Sequence, residues 1–343
     1  MDRAYLDHNA TTPLRPEARA AMLRAMDVVG NPASVHGEGR AAKGVIEAAR
    51  AQVAELVGCG RHQVIFTGSA TEAAALAVAQ KARHGGRFAA LPTEHDCFFD
   101  WSEAEQAPFM ARSAANSETG VMLDGGRVAS GDHTVCDITQ VAGKAPVLYG
   151  ERRPAYMVLS AHKLGGPKGV GALINFTAED PMPILKGGGQ EMGRRSGTEN
   201  VIGIAGFGAA AAAAHRDVEA GAWRGIAQLR NILEISLAEI SPATIFVGKA
   251  AHRLPNTSCF ITPGWKGETQ VMQMDLAGYA VSAGSACSSG KVTESRVLRA
   301  MGFGAGAGHA VRVSLGLETT EEQIKGFVAA WGKAFEKFQA RAA

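Results

Sequence analysis

Residues 156–171 constrain the fold most, because an apolar strand there leads directly into a lysine and a glycine-rich turn. The apolar run that ends at Leu159 is typical of a buried strand. Lys163 follows at the strand's exit, where the strand ends of an open α/β sheet form a ligand crevice. A lysine partly desolvated in such a crevice can form a Schiff base with an aldehyde cofactor. On its own, the pattern fits a plain loop lysine equally well.

A second strand, turn and helix lie within 63–82. The turn contains Ser69 and Thr71, and the N–H groups and dipole of a helix N-terminus suit a phosphate. Such hydroxyl residues are also common N-caps, so the turn alone leaves both interpretations open. Asp137 ends another apolar strand, at 133–137. A carboxylate there is normally solvated or caps a turn, whereas one that faces a pyridine nitrogen would keep that nitrogen protonated.

Strands alternate with helices over the first part of the chain, and polar residues gather where strands end. This alternation predicts a doubly wound, mostly parallel sheet that binds its ligand at the strand ends. The glycine-rich segment 187–200 is typical of a functional or interface loop. A helical region from about 200 to 240 follows it, and the remainder predicts an α+β portion that ends in a helix at about 320–338.

The composition argues against binding to nucleic acid or membranes and does not favour any one activity. The chain has 343 residues, of which 46% are hydrophobic and 20% charged, and its net charge is +2. These values give no electrostatic bias toward nucleic acid or membranes. No apolar run reaches the ~18 residues of a membrane span, and the first residues lack the features of a signal peptide. We therefore expect a cytoplasmic protein of two domains.

The five cysteines are an odd number without metal-ligand spacing, which argues against a disulfide framework and against a structural zinc site. Cys287 differs from the other four because residues 284–290 around it are only glycine, serine and alanine. The sequence predicts an exposed thiol there, and such a thiol is either incidental or reactive.

Seven short motifs follow one another along the chain, and each of them alone is unspecific. They are Asn31-Pro-Ala-Ser-Val-His, Thr67-Gly-Ser-Ala-Thr-Glu, Thr93-Glu-His, Asp137-Ile-Thr-Gln, Ser160-Ala-His-Lys, Arg195-Ser-Gly-Thr and Gly284-Ser-Ala-Cys-Ser-Ser. With these seven motifs in this order, the chain resembles the cysteine desulfurases of the NifS/IscS type. That group belongs to the class V aminotransferase family of fold type I pyridoxal-phosphate enzymes. The resemblance runs from Tyr5 to Gly316, nearly the whole chain.

The resemblance implies an α/β fold of the fold type I pyridoxal-phosphate-dependent transferases. A large domain, 14–222, would bind the cofactor with a mostly parallel sheet of the seven-stranded type. A smaller α+β domain, formed by 1–13 and 223–343, would carry the loop with Cys287.

The resemblance also implies a role for each site residue. Lys163 would bind the aldehyde of pyridoxal 5'-phosphate and move the proton at the substrate's α-carbon. Asp137 would pair with the ring nitrogen, and His95 would stack on the ring and relay protons. Arg312 would bind the substrate's carboxylate, and Cys287 would take its sulfur. The other cofactor contacts would be Ala70, Thr71, Ser160 and His162 at the phosphate, Gln140 at the ring hydroxyl, and Thr198 at the phosphate of the neighbouring subunit of a homodimer.

The implied reaction converts L-cysteine to L-alanine and leaves the sulfur as a persulfide on Cys287. An acceptor or scaffold protein would then receive the sulfur for iron–sulfur cluster assembly or another sulfur cofactor. Two alternatives stay open. One is another class V enzyme, a selenocysteine lyase or an aminotransferase, in which Cys287 is dispensable. The other is a degenerate member that binds a partner without turnover.

The chain departs from the family pattern in two places. After His95 the family carries a strand, a helix and another strand, whereas residues 96–115 are too few for all three. The family's pair of asparagines is Asn116-Ser117 here, so a hydroxyl of shorter reach replaces the second amide. That amide is expected near the cofactor hydroxyl and the substrate carboxylate, so we expect both changes to affect how substrate is bound.

Overall fold

The computed structural model describes residues 3–123, 127–284 and 294–342. The strands are β1 (Ala4–Tyr5), β2 (Val64–Thr67), β3 (Phe88–Ala90), β4 (Phe109–Ser113), β5 (Gly131–Asp137), β6 (Pro154–Ser160), β7 (Gly171–Asn175), β8 (Ile245–Phe246), β9 (Thr257–Ile261), β10 (Tyr279–Ala280), β11 (Ser282–Ala283) and β12 (Ala310–Ser314). The helices are α1 (Pro16–Met26), α2 (Gly37–Val57), α3 (Ala70–Val78), α4 (Asp96–Phe99), α5 (Val201–Glu219), α6 (Trp223–Ile240), α7 (Gly267–Leu276), α8 (Arg296–Ala300) and α9 (Glu321–Ala342). Within the described ranges, every helix is too short or too polar to cross a membrane.

Contacts divide the chain into two compact units. The larger unit comprises Thr12–Ala115 and Leu123–Ala220, and the smaller unit comprises Met1–Thr11, Asn116–Met122 and Gly221–Ala343. The predicted domains, 14–222 against 1–13 with 223–343, differ from this division chiefly by the segment 116–122. The domain boundaries stay a prediction.

The larger unit is built on a six-stranded sheet with the order β2-β7-β6-β5-β4-β3. Strands β3, β4, β5 and β6 are parallel to their neighbours in that series, and β7 is antiparallel to both β6 and β2. All seven residues of β6 are buried, as expected for a central strand of a sheet covered on both faces. The mostly parallel α/β fold predicted from the sequence is confirmed.

Helices enclose this sheet through small and apolar side chains. Helix α3 packs on β6 and β7, while α1 and α2 both pack on α5. Helices α2 and α5 approach closely at Gly208, where the absence of a side chain allows the contact. A Cβ on Gly208 would lie 2.5 Å from the Cα of Ala49. Ile65, Phe88 and Tyr156 belong to the buried cluster between the sheet and α3, so the core lies under the strands that carry the predicted site.

The short segment 96–115 contains the one-turn helix α4 and the strand β4, and β3 forms the edge of the sheet. The expectation that this segment cannot hold a strand, a helix and another strand is confirmed. In the described part of the chain the sheet thus has one strand fewer than the seven-stranded type. The physical reason is chain length, since the residues available cover only one helical turn and one strand.

The smaller unit contains an antiparallel sheet with the order β11-β12-β9-β8 and a parallel pair of β1 with β10. Helices α6 and α7 both pack against α9. Trp331 is fully buried and stacks on Phe335 with ring centroids 5.2 Å apart. Its indole N–H donates to the amide oxygen of Gln270 at 3.0 Å. Trp331 also contacts Phe260 of β9, the strand that pairs with β12, which carries Arg312.

Candidate active site

One edge of the larger sheet carries the residues predicted for a cofactor site. Because β7 is antiparallel to both of its neighbours, β2 runs in the same direction as the parallel strands β3–β6. Ala70 follows β2, His95 follows β3, Asp137 ends β5 and Lys163 follows β6. The carboxyl ends of parallel strands meet at one edge, where α/β proteins bind ligands. The structure therefore places these four residues along the same edge.

Lys163 is half-buried and ends a single 3-10 turn that follows β6 directly. Thr12 fixes this turn, because its N–H donates to the His162 carbonyl at 2.9 Å and its hydroxyl to the Lys163 carbonyl at 3.0 Å. Burial, reinforced by Lys163, Lys168 and Lys144, lowers the pKa of His162 to about 4. The imidazole is therefore neutral near pH 7, and the lysines around it give a positive potential that suits a phosphate.

The turn between β2 and α3 presents a helix N-terminus at the same edge. Ser69 is the N-cap, and its hydroxyl accepts the N–H of Glu72 at 3.1 Å. The first-turn N–H groups of Ala70 and Thr71 have no acceptor within the helix, so they suit an anion. Gly171, the first residue of β7, lies so close that a Cβ on it would be 2.8 Å from the Ala70 nitrogen. The Ser69 cap uses the N–H of Glu72, so it leaves the N–H groups of Ala70 and Thr71 for a phosphate. Only glycine fits at position 171, because any side chain there would clash with this turn.

Asp137 and Gln140 are fixed by contacts close to them in sequence. The Asp137 Oδ1 accepts the N–H of Thr139 at 2.8 Å, which orients the half-buried carboxylate at the end of β5. The buried Gln140 Oε1 accepts a hydrogen bond from Nζ of Lys144 at 2.7 Å, and this lysine is only 2% exposed. Lys144 thus fixes the amide of Gln140, the residue predicted to lie at the ring hydroxyl.

His95 is the N-cap of α4, and its Nδ1 accepts the N–H of Cys97 at 3.1 Å. In the neutral ring this leaves the proton on Nε2. The adjacent Glu94 is buried and accepts a hydrogen bond from the Ser113 hydroxyl at the end of β4. Burial, with a smaller contribution from the charge of Asp137, raises the pKa of Glu94 to about 7 despite that hydrogen bond. A second carboxyl group, with a pKa near neutrality, thus lies at this edge.

Arg312 belongs to the smaller unit, where β12 buries it almost completely. Its Nη2 donates to Oδ1 of Asp7 at 2.8 Å and its Nη1 to the Ser117 carbonyl at 3.1 Å. Ser282 donates to the other oxygen of Asp7 at 2.8 Å. The Nε of Arg312 is buried and has no hydrogen-bond partner among the described residues. A buried donor of this kind suits a carboxylate ligand, and the role of Arg312 in substrate binding stays a prediction.

Thr198 lines a cavity of about 140 Å³ in the larger unit, together with Gly68 and Arg195. The glycine-rich segment therefore lies beside the turn that precedes α3. Ser160 is buried at the end of β6. Cys287 lies outside the described residues. The roles assigned to the predicted site residues stay predictions.

Sequence reasoning missed three charged residues of the site. Lys144 follows Gln140 by four residues, a spacing that would have placed both on one face of a helical turn. Glu94 and Arg195 lie inside motifs that were recognised. Their burial depends on Ser113 and Glu72, which come from other elements, so no local pattern could show it.

A mostly parallel sheet with a lysine at the exit of one central strand and an aspartate at the end of the next is the arrangement of a fold type I transferase. The chain matches the aminotransferase class-V family over residues 4–109 and 104–327. It therefore belongs to this family, and the resemblance found in the sequence is confirmed. The two matched stretches meet within the short segment 96–115, which agrees with a deletion there.

Named relatives agree over nearly the full length. The chain is 37% identical to a cysteine desulfurase of Cereibacter sphaeroides, over 94% of this chain and 93% of that protein. It is 34% identical to a cysteine desulfurase of Klebsiella pneumoniae, over 99% of this chain and 94% of that protein. The crystal structure of a NifS-like protein from Rickettsia africae superposes with a TM-score of 0.85 at 28% identity, over 97% of this chain and 99% of that one.

Proposed function

We propose that the protein is a cysteine desulfurase that uses pyridoxal 5'-phosphate to convert L-cysteine to L-alanine and captures the sulfur on Cys287. One observation carries the proposal. Asp137 ends β5 and Lys163 follows the adjacent strand β6 at one sheet edge, and Asp137 is paired in register with Val158 of β6. The chain that carries them is 37% identical to a cysteine desulfurase over nearly all of its length.

The residues at this edge fit the cofactor. The helix N-terminus at Ala70 and Thr71, closed by Gly171, together with Ser160 and the neutral His162, would hold the phosphate. The remaining contacts would be Asp137 at the ring nitrogen, Gln140 at the ring hydroxyl, His95 on the ring face, and Thr198 at the phosphate of the partner subunit in a homodimer. When bound, pyridoxal phosphate supplies an aldehyde that condenses with amines and a ring that withdraws electrons from the α-carbon.

The chain's own residues then divide the work of binding, proton transfer and sulfur capture. Arg312, held by Asp7 and the Ser117 carbonyl, would bind the substrate carboxylate. The amine of Lys163 would take the proton from the α-carbon and return it, and Asp137 would keep the ring nitrogen protonated. The thiolate of Cys287 would form an S–S bond with the substrate sulfur as the bond from that sulfur to Cβ breaks. The electron pair stays on carbon, a proton replaces the sulfur, and L-alanine leaves.

The outer sulfur of the Cys287 persulfide is the second product, and it has to be transferred from the protein. We propose that an acceptor protein receives it for iron–sulfur clusters or another sulfur cofactor. The outer sulfur must pass to some thiol acceptor or reductant, because the Cys287 thiol has to be regenerated before the next turnover.

The test is to incubate the cofactor-loaded protein with L-cysteine, with and without a reductant, and to measure alanine, sulfide and the mass of the Cys287 peptide. We expect one alanine per sulfur transferred and a gain of about 32 Da on that peptide, the mass of one persulfide sulfur. The matched control is Cys287→Ser. Alanine formation that continues unchanged in this variant would favour another class V reaction, and a protein that binds no pyridoxal phosphate would exclude both.

A further inference from the structure

Arg195 and Glu72 form a bidentate ion pair beside the turn that precedes α3. The Nε of Arg195 lies 2.7 Å from Oε1 of Glu72, and its Nη2 lies 3.2 Å from Oε2. Both side chains are mostly buried, with 23% and 21% of their surface exposed. The hydrogen bond to Glu72 raises the pKa of Arg195. The parallel N–H donors of a guanidinium match a carboxylate better than a single ammonium does.

The carboxylate of Glu72 also shapes the turn itself. Its Oε2 accepts the N–H of Gly68 at 2.7 Å, and the backbone N–H of Glu72 is bound by the Ser69 hydroxyl at 3.1 Å. A Cβ on Gly68 would lie 2.8 Å from the same oxygen, so the turn and the carboxylate are in close contact. This places a negative charge in the first turn of α3, at the same turn whose residues Ala70 and Thr71 carry the N–H groups predicted to bind a phosphate.

A carboxylate at this position creates a conflict. An acidic residue in the first turn stabilises the helix through its dipole. However, the proposed ligand of the same N-terminus is a phosphate, and two anions at one short turn repel each other where water is partly excluded. Unless Glu72 is neutralised, the group that shapes the turn would also disfavour the ligand that the turn binds.

We propose that Arg195 is a positioning residue for the cofactor phosphate: by neutralising Glu72 it allows the Gly68–Thr71 turn to accept a dianion. The carboxylate keeps its contact with Gly68, and its charge is offset by the guanidinium. Arg195 belongs to the glycine-rich segment that also carries Thr198, and both line the cavity beside Gly68. The inference rests on the proposed function, because it assumes a cofactor that bears a phosphate.

The experiment compares two ligands, pyridoxal phosphate and pyridoxal, which share the ring and the aldehyde and differ only in the phosphate. Dissociation constants are measured by absorbance titration of the full-length protein after its cofactor has been removed. We expect Arg195→Gln to weaken the binding of pyridoxal phosphate about tenfold or more. Its affinity for pyridoxal should stay within about twofold of the wild type, because no phosphate meets Glu72.

A second substitution separates charge from packing. Glutamine at position 72 keeps an oxygen for the N–H of Gly68 but carries no charge. The double variant E72Q/R195Q should therefore recover most of the affinity for pyridoxal phosphate that Arg195→Gln loses. The control is Glu179→Gln, which breaks an exposed ion pair with Arg83 in the same unit and should change neither affinity.

Three results would overturn the inference: no loss in Arg195→Gln, equal loss for both ligands, or a double variant no better than the single one. A wild-type protein that does not bind pyridoxal phosphate would overturn the proposed function and the inference with it. If Arg195→Gln does not fold, Arg195→Lys keeps the charge. That variant should retain the preference for pyridoxal phosphate over pyridoxal within about threefold, and a larger fall would count against neutralisation.

Discussion

Arg312 and Asp7 form an ion pair with 2.8 Å between Nη2 and Oδ1, and their side chains are only 3% and 17% exposed. Removing one partner of a buried pair leaves the other charge uncompensated. We expect Asp7→Asn to lower the free energy of unfolding by about 3 kcal/mol, measured by urea denaturation. It should also raise KM for L-cysteine more than it lowers kcat, because the guanidinium loses one of its two anchors.

The matched control for this prediction is Asp275→Asn. It makes the same substitution in the same unit and breaks the ion pair between Asp275 and Arg3. Both of these side chains are more than half exposed. An exposed pair contributes little, so the free energy of unfolding should change by less than about 0.5 kcal/mol. Similar losses in both variants would show that burial of Asp7 and Arg312 has no special effect.

Glu94 should make the stability of the protein fall as the pH rises. Its pKa is raised by burial from 4.5 to about 7, so the folded state holds this proton more tightly than the unfolded chain does. The stability that this adds is fully present below about pH 4.5 and is lost as the pH rises through about 7. Wild type should therefore lose up to about 3 kcal/mol more than Glu94→Gln does between pH 4.5 and 8.

Urea denaturation of both proteins across this pH range measures the difference. The exposed Glu105 lies near Glu94 in sequence, and Glu105→Gln is the control that should follow the wild type at every pH. Parallel stability curves for wild type and Glu94→Gln would mean that Glu94 ionises in the folded protein as it does in water.

The fold was predictable where short-range patterns decide it. The apolar run before Lys163 becomes the fully buried β6, and the small residues before Glu72 become a capped helix start. Both features follow from residues that are adjacent in sequence. The helical region expected from about 200 to 240 is two helices, because Gly221 adopts a φ of +69° between α5 and α6. The sequence shows a glycine at this position but not its φ angle, so it does not show that the helix ends there.

The parts that sequence could not show depend on distant pairing. Glu94, in the loop between β3 and α4, accepts a hydrogen bond from Ser113 of β4, and Arg312 binds Asp7 from the opposite end of the chain. A motif identifies such residues without revealing that they are buried. Likewise, segment 116–122 follows β4 in sequence but contacts the smaller unit, where the Ser117 carbonyl meets Arg312. Chain order alone does not reveal these contacts.

Restoring the family's asparagine should strengthen substrate binding. The Ser117 carbonyl accepts hydrogen bonds from Arg312 at 3.1 Å and from Asn9 at 3.2 Å, so its side chain projects from a backbone already fixed beside the predicted carboxylate site. An asparagine amide reaches further than a hydroxyl and can donate to a carboxylate. We expect Ser117→Asn to lower KM for L-cysteine about threefold to tenfold with little change in kcat, measured by alanine formation. The control Ser117→Ala should not lower KM, and a fall in both variants would point to a steric effect.

Glu191 anchors the glycine-rich segment through a buried ion pair, and its loss should be costly. Its oxygens each lie 2.8 Å from a nitrogen of Arg50, one of them also accepts the Phe66 N–H, and its backbone φ is +49°. Glu191→Gln leaves the Arg50 charge buried and the strained backbone less well held, so the free energy of unfolding should fall by about 3 kcal/mol or more. Glu47→Gln removes the other, 41% exposed partner of Arg50 and should cost less than about 1 kcal/mol. Urea denaturation distinguishes the two, and equal losses would contradict the assignment of Glu191 as the main anchor.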